Sequence, residues 1–347
     1  MSVAACDALV AALRPVLAPF GIDEVHAATQ LSGGASRQTY SVDVRSVNRD
    51  APRLVVQVAA EGYEHSMEQE AAVLRVAAAA GVPVAEVVTA SDDPSTLGAP
   101  YLVLAHVAGE TIARRILRDE VFGPARAALA GQLGRALGKL HRVDAGSPAG
   151  GALAAGAADI TGLEHVDPLT RYREVLDELG EPHPTFELAF RWLERTRPPG
   201  AGRVSLVHGD ARLGNLIVDR SGLAALIDWE LAHLGDPLED LGWLCTVAWR
   251  FGGPAPVGGF GAYDDLLRAY EASSGVTVDL DALHWWEAVG SLKWGIICIV
   301  QADAHRSGRR RSHELAAIGR RVCENEHDLL AMMPPTWPAA RSAGGGR

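Results

Sequence analysis

The chain predicts an α+β fold in two lobes, a small sheet lobe with one inner helix followed by a larger, mainly helical lobe. Three observations predict it. β-branched and aromatic runs cluster before residue 106, and Ala/Leu/Arg-rich segments at helical spacing dominate from about Glu110. A polar, Gly-punctuated segment, LVHGDARLGNLIVDRSGLAALIDWELAHLGDPLEDLGWL over 206–244, then interrupts the helices. The expected boundaries are 1–106 for the first lobe, 107–333 for the second with a hairpin over 204–230, and 334–347 for a disordered tail rich in Pro and Gly.

Each element follows from local chemistry. MSVAACDALVAALRPVLAPF is apolar but lacks a basic leader, and Asp7 and Arg14 sit at helical spacing, so an amphipathic helix is expected rather than a signal peptide. LSGGASRQTYSVDV, entered from 28–30, reads as strand, turn and strand: Gly33 and Gly34 punctuate, while Thr39, Tyr40, Val42 and Val44 favour extended backbone. RLVVQV at 53–58 is a third strand, and 66–80 an Ala-rich helix closed by Gly81 and Pro83. Two further strands are expected at 84–89 and 101–106, separated by the turn-rich SDDPSTLGAP. A helix at 124–143 opens the second lobe, a Gly/Ala stretch at 147–158 is a surface loop, and short strands at 204–208 and 223–227 flank a polar loop before helices resume.

Bulk properties narrow the function. The 347 residues are 48% hydrophobic, enough for a sizeable core, and the net charge of -11 argues against general nucleic-acid binding, most of whose affinity comes from neutralising phosphates, while permitting a cationic substrate. WGIICIV at 294–300 is far short of the roughly 20 apolar residues of a membrane helix. Cys6, Cys245, Cys298 and Cys323 show no metal or disulfide spacing, which points to the cytoplasm. A small-molecule partner is therefore expected, with monomer and homodimer both open. Arg306 and Arg309–Arg311 form the one basic cluster, either a solvated interhelix loop or an anion site.

The chemistry concentrates in the polar segment. Asp210 follows a strand and a glycine, Asn215 lies five residues on, and Asp228 ends the next short strand, so a hairpin brings three oxygen-bearing side chains to one mouth. Such hard ligands suit Mg²⁺, which binds through one or two carboxylates plus substrate phosphates, and leave one carboxylate free as a base. Singly, each is an ordinary turn residue and His208 an ordinary packed histidine; at this spacing they indicate phosphoryl transfer.

HGDARLGN, the Ile227–Glu230 run IDWE and GDPLEDLGWL resemble motifs of the aminoglycoside phosphotransferase and choline-kinase-like family, distant relatives of protein kinases. AAIGRRVCENEHDLL near the carboxy terminus resembles a subgroup found beside, or fused to, acyl-CoA dehydrogenases. The resemblance implies a two-lobed protein-kinase-like fold, with a small antiparallel-sheet N-lobe, and an ATP- or GTP- and Mg²⁺-dependent kinase acting on a small-molecule hydroxyl. It implies a phosphate-covering loop at Ser32, Gly33, Gly34 and Ser36, an inner-helix glutamate at Glu70, and a hinge at Leu104 and His106. By it, Asp210 orients and deprotonates the hydroxyl, Asn215 and Asp228 hold the metal, and His208 braces the loop. Arg212 either neutralises charge on the transferred group or packs against Asp228 or Asp240. Asp236 and Asp240 support the loop, and Trp229 and Trp243 are expected in the core.

One position departs from the pattern. The family's phosphate-holding Lys or Arg on the third strand is replaced by Gln57, which cannot supply a charge-assisted contact. Arg37 and Arg53 are candidate substitutes, both expected at the surface. The departure raises the alternative of a nucleotide- or ligand-binding pseudokinase, but the intact Asp210, Asn215 and Asp228 favour an enzyme. A protein kinase is disfavoured, since D-F-G and A-P-E are absent. The acceptor is expected against Glu230, Trp286, Glu287 and Asp303, with His284, Trp285, Trp294, Gln301 and His305 nearby. It is either aminoglycoside-like or an endogenous metabolite such as a hydroxyacyl-CoA, which the arginine cluster would suit.

Overall fold

The structure is a computed structural model that describes residues 3–31, 37–46, 53–60, 62–63, 65–143, 160, 162–165, 167–199 and 204–334. The expected phosphate-covering residues Ser32, Gly33, Gly34 and Ser36, the loop at 147–158 and nearly all of the tail lie outside the described residues.

The first helix, α1 (Val3–Leu17), leads into β1 (Ile22–Gln30), β2 (Arg37–Ser46) and β3 (Arg53–Ala59). Helix α2 (Met67–Ala79) follows, then β4 (Val87–Ser91) and β5 (Tyr101–Ala105). The strands form one antiparallel sheet in the order β1-β2-β3-β5-β4. β1 starts earlier than the expected position 28 because Ile22 and Val25 bury against Leu13 and Leu17 of α1. Period-2 alternation splits the sheet: Val42, Leu54 and Val56 join that outer core, while Arg37, Thr39, Val55 and Gln57 line the inner cleft. Thr39 pairs with Gln57 and Arg37 with Ala59, so Arg37 stands one pleat beyond Gln57 on the same face. The Ser66 hydroxyl caps α2 by accepting from the Gln69 N–H at 2.9 Å, and Glu68 and Glu70 suit the positive end of the helix dipole.

The chain then crosses between lobes. At Gly109, φ is +157° and a Cβ would lie 2.5 Å from Ile217 Cγ2, so only glycine lets this segment close onto the second lobe. Glu110 and Val218 exchange backbone hydrogen bonds of 2.8 and 3.0 Å at the crossing.

Helices α3 (Ala113–Arg118), α4 (Gly123–Leu140), α5 (Pro168–Leu179) and α6 (Pro184–Thr196) come next. Four short strands, β6 (Ser205–Val207), β7 (Leu216–Asp219), β8 (Gly222–Leu226) and β9 (His233–Gly235), precede α7 (Leu238–Cys245) and α8 (Tyr263–Ser274). The chain ends in α9 (Leu280–Arg306), α10 (His313–Gly319) and α11 (Val322–Met332). The strands expected at 204–208 and 223–227 do not pair with each other. β6 pairs with β9, and the hairpin proper is β7–β8. Helix α9 is the axis of the helical core, burying Trp285, Trp286, Leu292, Ile296 and Ile299 against Phe186, Phe190 and Leu329. Among the described residues no helix is long and apolar enough to cross a membrane.

Candidate active site

The loop between β6 and β7 is held from beneath by one carboxylate. Asp240, fully buried at the start of α7, accepts from the His208 N–H (2.7 Å), the Gly209 N–H (2.9 Å) and the His141 ring (Nε2, 3.0 Å). Burial alone would raise the Asp240 pKa, but the hydrogen bond and charge of His141, with His208, hold it down at about 2. Its ionisation therefore stabilises the fold fully above the ordinary carboxylate pKa of about 4 and ceases to do so as pH falls toward about 2. Asp240→Ala should cost about 3 kcal/mol or more by stranding those donors, read as a lower urea midpoint at neutral pH. The difference from the wild type should shrink between pH 4 and 2.

Gly209 adopts φ +78°, and a Cβ there would lie 2.3 Å from the Leu231 carbonyl oxygen. Its own carbonyl accepts from the buried Lys293 ammonium at 2.7 Å, which also pairs with Glu239 at 3.2 Å. Lys293 was not among the expected site residues, although a lone lysine inside the apolar run of α9 was a visible signal. Gly209→Ala should remove measurable transfer by displacing Asp210, whereas Gly123→Ala at the start of α4, where the backbone is right-handed and a Cβ meets nothing closer than 3.8 Å, should leave activity intact.

Past that turn, Asp210 faces the cleft. Its Oδ1 accepts from the Trp243 indole (2.7 Å) and Arg212 Nε (3.0 Å), and its Oδ2 from Asn215 Nδ2 (2.5 Å). Trp243 is buried, as expected of a core residue, and its indole also orients the carboxylate directly. Arg212 pairs with Asp210, not with Asp228 or Asp240, and stacks 4.5 Å above the Trp249 ring. His208 is buried with both nitrogens engaged: Nδ1 accepts from the Asp210 N–H (3.2 Å) and Nε2 meets the Ile227 carbonyl (3.1 Å). Burial lowers its pKa. It is a neutral brace joining the Asp210 loop to the chain before Asp228, and a positioning residue.

Asp228, two residues past the end of β8, has φ +70°, a left-handed conformation that asparagine and aspartate tolerate and most side chains do not. Asn215 gives its Nδ2 to Asp210 and leaves Oδ1 for a cation. Two oxygen donors facing the cleft are hard ligands of the kind Mg²⁺ takes; among the described residues no group of three His, Cys, Asp or Glu forms a closed metal cage.

The cleft measures about 1080 Å³. Val55, Ala85, Leu104 and Leu226 give it an apolar slot, with His106 and Val107 at the crossing, so Leu104 and His106 both line the cleft. The Tyr63 hydroxyl in its lining is buried without a hydrogen-bond partner among the described residues, a polar atom that a ligand oxygen would satisfy.

Arg37 corrects an expectation. It is 4% exposed, donating to both Glu70 oxygens (3.0 and 2.8 Å), Gln57 Oε1 (2.8 Å) and Asp228 Oδ1 (2.6 Å), with Glu230 at 3.2 Å. Burial opposes its charge, but the three carboxylates outweigh burial and raise its pKa. Arg53 is exposed and pairs with Asp43, as a surface residue would.

The expected acceptor residues divide. Glu230 lines the cleft, with Trp294 and Gln301. Trp286 does not, because it packs into the helical core. Glu287 is buried behind the cleft, accepting from the Tyr263 hydroxyl at 2.7 Å. Asp303 lies outside the lining, paired with Arg309 at 2.5 Å and with Arg306 at 3.8 Å. Beyond Asp240 the described lining includes Trp243, Trp249, Trp294, Arg309 and Arg310 and contains no carboxylate. The indole N–H groups of Trp249 and Trp294 are buried without a partner among the described residues.

Known proteins share this fold. The fold matches a candidate aminoglycoside phosphotransferase from Ralstonia eutropha (TM-score 0.73, 20% identity, 93% of this chain and 97% of that one). It also matches a choline/ethanolamine kinase family protein from Mesorhizobium loti (TM-score 0.60, 20% identity, 95% of each chain). In sequence, acyl-CoA dehydrogenase family member 10 of Mus musculus is 29% identical over 229 residues, 63% of this chain and 20% of that protein. Member 11 of Gallus gallus is 25% identical over 288 residues, 78% of this chain and 34% of that protein. The chain thus spans about a third or less of these two relatives' lengths. A sequence model of the phosphotransferase enzyme family matches residues 27–286, from β1 through the loop of Asp210 into α9. The chain belongs to that family.

Proposed function

We propose that the chain transfers the γ-phosphoryl group of ATP or GTP, with Mg²⁺, to a hydroxyl of an anionic metabolite such as a hydroxyacyl-CoA, in the cytoplasm. The observation that carries this reading is the acceptor end of the cleft. Arg309 and Arg310 line it, two buried indole N–H groups lack acceptors among the described residues, and the described lining that follows Asp240 in the sequence holds no carboxylate, with Asp210 and Glu230 on the nucleotide side of the cleft and Asp303 paired to Arg309 outside the lining. A polycationic aminoglycoside would be opposed there, whereas an oxygen-rich anion would be paired.

The chain's own groups supply most of the chemistry. Asp210, aligned by Trp243 and Asn215, accepts the acceptor hydroxyl's proton and aims its oxygen at the phosphorus. Asn215 and Asp228 would hold Mg²⁺, which neutralises phosphate charge when bound. Arg212 lies close enough to Asp210 to meet charge developing on the transferred group. The free cysteines support a reducing compartment.

The test is transfer from γ-labelled ATP with Mg²⁺ to a panel of hydroxyacyl-CoAs, free hydroxy acids and aminoglycosides. Labelling of an anionic hydroxyl compound, reduced by Arg309→Glu with Arg310→Glu, is expected. Labelling of aminoglycosides alone would contradict the substrate assignment.

A further inference from the structure

Gln57 leaves the third strand without a cation where nucleotide phosphates would lie, and the structure supplies one from the neighbouring strand. We propose that Arg37 of β2 holds the phosphates of a bound nucleoside triphosphate, releasing Asp228 to a divalent cation as it does so. This rests on the nucleotide-binding reading above.

The geometry makes Arg37 equivalent to a cation at position 57. Thr39 is the partner of Gln57 across β2 and β3, and Arg37 is the next residue of β2 on that face. Its longer side chain reaches back to Gln57, whose Oε1 accepts from Nη1 at 2.8 Å. Gln57 thereby aligns the guanidinium that does its missing work. Glu70 holds the same Nη1 from α2, leaving Nη2 to bridge the lobes to Asp228 and Glu230.

That bridge occupies an Asp228 oxygen that a cation would also take. One guanidinium faces three carboxylates, an excess of negative charge that a divalent cation offsets. With the cation on Asp228, Nη2 is free for phosphate oxygens, a pairing the planar fork makes well. The unpartnered Tyr63 hydroxyl borders the same space and can donate to the same oxygens. A purely structural Arg37 would need no such neighbour and would not care whether phosphates were present.

Calorimetric binding of Mg·ATP and of adenosine to the full chain separates these roles. Arg37→Gln should weaken Mg·ATP by about 10- to 100-fold, the value of a lost charge-assisted contact, and leave adenosine within about twofold. Adding Gln57→Lys to Arg37→Gln should recover most of the loss, since it returns a cation to the same face from β3. Arg37→Lys, which keeps the charge but not the fork, should fall between. Equal weakening of adenosine and Mg·ATP, with no recovery by Gln57→Lys, would overturn the proposal in favour of a structural role. Tight Mg·ATP binding unchanged by Arg37→Gln would overturn it alone, whereas a wild-type chain that binds no Mg·ATP would overturn the nucleotide reading with it.

Discussion

Asp210→Asn should lower the transfer rate by about a thousandfold while leaving Mg·ATP affinity nearly unchanged. The carboxylate stands apart from the apolar slot and from Arg37, and its partners are Trp243, Arg212 and Asn215, so removing its charge leaves the nucleotide's contacts in place. What is lost is the proton acceptor and the alignment of the acceptor hydroxyl. Three donors on Asp210 disperse its charge, so orientation is a large part of its contribution. Trp243→Phe, which removes one donor and keeps an aromatic, if smaller, side chain, should therefore lower kcat by a smaller factor, about tenfold, with the KM for ATP unchanged. Steady-state kinetics with saturating ATP distinguish the two effects.

Asp228→Asn should abolish the Mg²⁺-dependent part of nucleotide binding, about tenfold or more in affinity, and reduce turnover by about a thousandfold. Asparagine is the informative replacement because it tolerates the left-handed backbone at φ +70°, where alanine would add strain to the loss of charge. The substitution also removes one partner of Arg37. ATP binding without Mg²⁺ should consequently hold steady or improve slightly, since Arg37 no longer has to leave Asp228. Titrations with and without Mg²⁺ report both outcomes.

The contrast between these residues and Arg37 shows what a sequence carries. Asp210, Asn215 and Asp228 fall within one short segment, so strand alternation and two turns suffice to bring them together. Arg37 meets Glu70 and Asp228 across 33 and 191 residues, and base rates place an arginine on the surface until such partners are known. β9 was illegible for a related reason. Three residues, His-Leu-Gly, have no period of their own, and their strand exists only because β6 lies beside them.

The residues expected against the acceptor reach the cleft only in part. Tryptophans on α9 were expected there, and Trp294, Ile297, Gln301 and Ala304 do form one cleft-facing stripe at spacings of three and four. Nothing local distinguishes that stripe from the turn before it. Trp286 and Glu287 are equally suited to a pocket by type, but α5, α6 and Tyr263 cover them. Helical periodicity defines faces, and tertiary packing decides which face meets the cleft.

The most direct test of the account is isothermal titration of ATP, with and without Mg²⁺, into the wild-type chain, Asp210→Asn and Asp228→Asn side by side. The account predicts Mg²⁺-enhanced binding in the wild type and in Asp210→Asn, and loss of that enhancement in Asp228→Asn. Absence of nucleotide binding at millimolar ATP, or enhancement that survives in Asp228→Asn, would contradict it.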